Sequence, residues 1–84
     1  TFSTDFYALF QQTGREDLQA LRQHFGERDA GALKARAHRL KGMAAFAQRP
    51  DIQELALQVE QAAHPLDPAR LSSLLDQLED HFST

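Results

Sequence analysis

The sequence predicts an all-α protein, an up-and-down antiparallel four-helix bundle with a short extra helix at its N-terminus. Three observations lead there. Strand signals are nearly absent: the chain has one Val, one Ile, no Asn-Gly or Asp-Gly dipeptide, and no sustained alternation of apolar and polar residues. Apolar residues recur instead at helical spacing in four longer segments. The connections between these segments are only a few residues long, and short connections make sequential helices antiparallel neighbours.

The elements follow in chain order. Phe6, Leu9 and Phe10 repeat at helical spacing in a first short helix, which Thr13 and Gly14 should end. Thr13 and Glu16 have the spacing of a capping box, each side chain satisfying the other's backbone N–H, so a second helix is expected from Thr13 with Leu18, Leu21 and Phe25 as its apolar stripe. Gly26-Glu27-Arg28 breaks that pattern, and Asp29 is placed to cap a third helix running to about Ala47. Pro50 biases Arg49 away from helical geometry and suits the first turn of a fourth helix, whose buried face is Ile52, Leu55, Ala56, Val59 and Ala63. His64-Pro65 ends it. Asp67-Pro68 then forms a cap and first turn for a fifth helix lined by Leu71, Leu74, Leu75, Leu78 and Phe82. The Phe2, Phe6, Phe10 and Phe25 rings are expected in the core rather than in a ligand pocket.

Composition narrows the function. Eighty-four residues make one small domain spanning 1–84, and a start at Thr1 without Met reads as a piece of a longer chain. A hydrophobic fraction of 42% with 25% charged residues fits a globular chain, and no apolar run is long enough to span a bilayer. No direct membrane contact is expected. Without cysteine there is no disulfide, no Cys-ligated zinc and no thiol nucleophile, and a cytoplasmic setting is expected. No Glu-x-x-His or His-Glu-x-x-His pattern occurs, so no metal site is expected. A net charge of −3 argues against a nucleic-acid footprint. Lys34, Arg36, Arg39 and Lys41 do not restore one, because the arginines and lysines project on opposite flanks of their helix.

The third helix carries more than a core face. On a wheel of about 100° per residue, Leu33, Ala37, Leu40, Ala44 and Ala47 share one narrow sector, and His38 lies about 140° from Leu33, pointing away from the bundle. Lys34, Lys41, Gly42 and Ala45 are its neighbours at i−4, i+3, i+4 and i+7. Gly inside a helix costs about 1 kcal/mol relative to Ala, so Gly42 needs a reason such as the close approach of another molecule. A free imidazole, with an ordinary pKa of about 6.5, is mostly neutral at pH 7 and nucleophilic, and two nearby ammonium groups attract an anionic donor. His24, His64 and His81 lack such surroundings.

The run Ala37-His38-Arg39-Leu40-Lys41-Gly42 resembles the phosphoacceptor motif of histidine phosphotransfer (HPt) domains, in which His is followed by an apolar residue, Lys and Gly. Leu55 and Val59-Glu60 are similar to the family's next helix, and the resemblance extends from about Tyr7 to Leu78. It is closest to HPt domains at the C-terminus of unorthodox or hybrid bacterial sensor kinases. One position departs: many members have Gly ten residues after the His, where this chain has Gln48.

The resemblance implies a multistep two-component phosphorelay. His38 would accept a phosphoryl group from a receiver-domain aspartate and pass it to the aspartate of another response regulator. Lys41 and Lys34 would give electrostatic support, and Gly42, Ala45 and Arg39 would dock the receiver. Loose phosphoryl transfer needs positioning and charge more than covalent work by the protein. The domain would bind no cofactor, Mg²⁺ residing on the receiver, and would have no kinase activity of its own. The parent chain would be a histidine protein kinase, this part being cytoplasmic even if the parent sits in the inner membrane. A monomer is expected, since His38 must stay accessible. The alternative is a helical-bundle adaptor that uses the same face without exchanging phosphate.

Overall fold

The computed structural model describes residues 2–83, with side chains from Asp5 onward. The expected core role of Phe2 therefore falls outside the described side chains. Four helices follow one another: α1 (Phe2–Gly26), α2 (Ala30–Phe46), α3 (Pro50–Ala62) and α4 (Pro68–Phe82). Each packs on the next and α4 closes back on α1, giving a four-helix ring. α1 is the longest helix, about 37 Å at 1.5 Å per residue, and sets the 42 Å long dimension of the molecule.

The expected break at Thr13 and Gly14 does not occur. α1 runs straight through, and Thr13 Oγ1 donates to the Leu9 carbonyl at 2.8 Å within the helix instead of capping a new one. The separate N-terminal helix is thus the first part of α1. Phe10, Gly14, Leu18, Leu21 and Phe25 form one continuous stripe at helical spacing, and Gly14 is its tightest point. A Cβ at Gly14 would collide with the Phe82 ring, which also packs edge-on against Phe10 at 5.7 Å between centroids. Glycine here answers a demand of α1–α4 packing, a tertiary cause that imitates a helix stop in sequence. Leu9 also departs from expectation, being 56% exposed on the outer side of α1.

The remaining boundaries lie where the caps put them. Asp29 accepts from Ala32 N–H at 3.1 Å at the start of α2, and Asp67 accepts from Arg70 N–H at 3.2 Å at the start of α4. Pro50 and Pro68 occupy first turns, where a missing N–H costs nothing. α1 and α2 end alike. Arg28 and Gln48 both adopt φ 57°, and paired backbone bonds close each end: Asp29 N to His24 O and Arg28 N to Phe25 O, then Arg49 N to Ala44 O and Gln48 N to Ala45 O. Gln48 therefore stands in the left-handed conformation that favours glycine, which gives the tenth residue after His38 its physical meaning.

The core is Leu- and Ala-rich. The predicted faces Leu33, Ala37, Leu40, Ala44, Ala47 and Ile52, Leu55, Ala56, Val59, Ala63 are all buried, as are the α4 leucines and Phe82. Phe10 is buried, while Phe6 and Phe25 are only partly so. Asp17 is withdrawn from water at 1% exposure and pairs with Arg36 Nε at 2.8 Å, linking α1 to α2. Burial pushes its carboxyl up while Arg36 and Arg39 pull it back. At the α2–α3 turn, Arg49 donates to both oxygens of Asp51 and holds it at about 2; His81 Nδ1 of α4 lies 3.5 Å from the same carboxylate.

Two substitutions test these assignments in opposite directions. Gly14→Ala should gain about 1 kcal/mol of helix propensity but lose more to overpacking, for a net loss of about 1–2 kcal/mol in urea unfolding. Gln48→Gly should stabilise by roughly 0.5–1 kcal/mol by relieving the left-handed strain, read as a higher Tm.

Candidate functional site

α2 buries one stripe and turns the opposite one to solvent. Gly31, Ala35, His38, Gly42 and Ala45 all lie on that outer stripe and are exposed, so the imidazole rises from a run of nearly absent side chains. The His38 side chain is 69% exposed. A Cβ built at Gly42 would meet nothing within 4 Å, so no contact inside the domain explains this glycine. Its openness faces outward.

α3 supplies what the motif did not show. Glu60 reaches across the α2–α3 seam and engages two α2 side chains, Lys41 Nζ donating to Oε1 at 2.8 Å and His38 Nδ1 lying 3.1 Å from Oε2. The Lys41 ammonium is the main influence holding the Glu60 carboxyl below its ordinary value, with His38 adding to it against the opposing effect of burial. Glu60 is therefore ionised at neutral pH, and an ionised carboxylate only accepts hydrogen bonds. The ring must donate from Nδ1, so the neutral imidazole has its lone pair on Nε2, the nitrogen that does not meet Glu60. A tautomer follows from one contact.

The predicted site residues separate into groups. Lys41 is half-buried and tied to Glu60, so it acts on His38 through that carboxylate and not as a free charge aimed at the imidazole. Lys34 is exposed and shares an open groove of about 430 Å³ with Gly31, Ala35, His38 and Glu60. Gly42 and Ala45 continue the low surface on the other side of His38. Arg39 is not brought to the imidazole: it lines a different depression, with His24, Ala32, Ala35 and Arg36, on the flank toward α1. Sequence reasoning placed Glu60 on the next helix but gave it no role. Its signal was a carboxylate directly after a buried Val59, and only the α2–α3 register aims it at His38.

Among the described residues, the group of three side chains close enough to share a metal ion is His24, Glu27 and Asp29, at the α1–α2 turn and without His38. Asp29 there already caps α2. No helix is long and apolar enough to cross a membrane.

A family model, the Hpt domain, matches residues 5–83. The chain belongs to that family of histidine phosphotransfer domains, whose members exchange phosphoryl groups with receiver domains of response regulators. In the other two comparisons, no curated protein and no solved structure matches.

Glu60→Gln should change the tautomer without changing the fold. The ¹⁵N NMR pattern of His38 in the unmodified chain should be that of an Nδ1–H ring near neutral pH, and the variant should move toward a mixture. Because the Glu60 carboxyl is lowered in the fold, its contribution to stability is present above its ordinary value of 4.5 and is lost as pH falls through the lower folded value. Acid titration of Tm should show that loss in the unmodified chain and a shallower one in Glu60→Gln.

Proposed function

We propose that Nε2 of His38 accepts a phosphoryl group from the aspartyl phosphate of one receiver domain and passes it to an aspartate of another. The observation that carries this is the Glu60 contact to Nδ1, which leaves the other nitrogen of the neutral ring with its lone pair, on a side chain that is 69% exposed. In the forward step the Nε2 lone pair forms the N–P bond while the P–O bond to the receiver aspartate breaks, its electron pair returning to that carboxylate. The ring then carries positive charge, and the Glu60 carboxylate beside Nδ1–H stabilises it. Glu60 is a positioning residue, and Lys41 keeps it ionised and in place.

Charge at the phosphoryl group falls to Lys34. Lys41 is neutralised by Glu60, whereas Lys34 lines the same groove as His38, and a loose transition state spreads negative charge over the equatorial oxygens. Gly42 and Ala45 let the receiver approach, and the domain needs no metal of its own because Mg²⁺ is held by the receiver's acidic pocket. The domain is a phosphocarrier without kinase activity, acting as a monomer. Its setting is a cytoplasmic part of a hybrid sensor histidine kinase, reached by that kinase's own receiver or by separate response regulators. The Hpt match and the solvent-facing His38 support this reading.

The test uses acetyl-phosphate-charged receivers with Mg²⁺, following acid-labile, base-stable phosphate by intact mass and ³¹P NMR. One phosphate should appear on the unmodified chain and none on His38→Gln, with receiver binding retained. Lys34→Ala should slow transfer by about tenfold, in the range of one lost charge-assisted contact. Binding without transfer in the unmodified chain, for every receiver tried, would instead indicate an adaptor.

A further inference from the structure

An apolar surface at the end of α2 rises from the edge of the core, against which Phe6 packs, and takes no part in the chemistry at His38. Phe46, in the last turn of α2, is 69% exposed, and Tyr7 on α1 is 51% exposed. Phe6 lies between them, its ring edge-on to Phe46 at 5.1 Å and to Tyr7 at 6.1 Å. The three rings make one raised aromatic patch where the first turns of α1 pass the end of α2. Isolated exposed apolar residues are ordinary, but rings in mutual contact form a contiguous patch of the kind that marks an interaction surface.

The position of the patch relative to His38 indicates what covers it. Phe46 is eight residues beyond His38, about 12 Å along the axis and about 80° around the wheel, on the solvent side. Gly42 and Ala45 lie between them with no bulk to separate two contacts. A standard interface covers about 800 Å² on each partner, a disc of about 16 Å radius, so a folded domain that centres a reactive carboxylate on His38 also covers Phe46. Residues 30–46 contain no acidic side chain, so nothing on α2 repels a partner whose reacting group is anionic. Aromatic anchors supply area without charge matching, which suits a surface that must accept one receiver and then another.

We propose that Phe46, supported by Phe6 and Tyr7, is the anchor on which receiver domains seat while their aspartate meets His38. This rests on the phosphotransfer reading above. The patch contributes binding that is the same before and during transfer, so its loss acts on KM and not on kcat.

Two donors separate docking from chemistry: phosphoramidate, which is too small to dock, and the charged receiver that transfers fastest to the unmodified chain. Phe46→Ala, alone and with Tyr7→Ala, should raise the receiver KM by about tenfold or more while leaving kcat and phosphoramidate labelling of His38 unchanged. Phe46→Leu should recover part of the loss. Circular dichroism should stay native, since the ring is exposed. An unchanged receiver KM in Phe46→Ala overturns the docking proposal alone. So does self-association that the variant abolishes with receiver KM intact, since the patch would then serve a second copy. Absence of labelling of the unmodified chain by both donors overturns the phosphotransfer reading and this proposal with it.

Discussion

The Glu60 carboxylate is the contact on which the proposed chemistry at His38 depends. It is held between an ammonium and an imidazole, 2.8 Å from Lys41 Nζ and 3.1 Å from His38 Nδ1. Remove it and three properties go together: the tautomer is no longer selected, the ring loses its anchor, and Lys41 becomes an unpaired charge beside the imidazole. Beyond its contribution to stability, the pair Lys41–Glu60 is a brace for one ring, because the ammonium fixes the carboxylate that the imidazole meets.

For that brace to exist, α2 and α3 must be in a particular register, and the bundle is arranged to fix it. Buried faces rich in Ala on both helices allow close packing, the Schellman closure at Gln48 sets the angle of the turn, and Pro50 starts α3 without delay. The Asp51–Arg49–His81 cluster ties this turn to α4, and the Asp17–Arg36 pair ties α2 to α1. None of these contacts touches His38. Each restricts the sliding that would carry Glu60 out of reach, because a shift of one helical residue moves a side chain by 1.5 Å and rotates it by about 100°.

The outer face of α2 is built on the opposite principle. Its core stripe is continuous and apolar, while its outer stripe is mostly Gly and Ala, interrupted by one imidazole and finished by one ring. Low relief around a nucleophile allows in-line approach by a bulky donor, and the same flatness leaves the domain with little affinity of its own. Aromatic area at Phe46, Phe6 and Tyr7 and the cation at Lys34 would supply it from the two ends of the stripe.

Much of this was legible in the sequence. The helical periods of α2, α3 and α4, the caps at Asp29 and Asp67, the prolines at first turns and the exposure of His38 follow from local rules, because an apolar stripe and a capping side chain act within one or two turns. The tertiary structure decided the rest, for reasons that local rules do not contain. Gly14 looks like a stop but exists to admit the Phe82 ring, so one long helix replaced two short segments. Gln48 looked like a mismatch and proved to be a residue in the conformation that glycine usually fills. Lys41 and Lys34 were equivalent neighbours of His38 on a wheel, and only the arrival of Glu60 from another helix made one a brace and left the other facing the groove. Spacing along one helix determines which residues share a face. What each does there depends on the side chain that meets it across the seam, and that requires the fold.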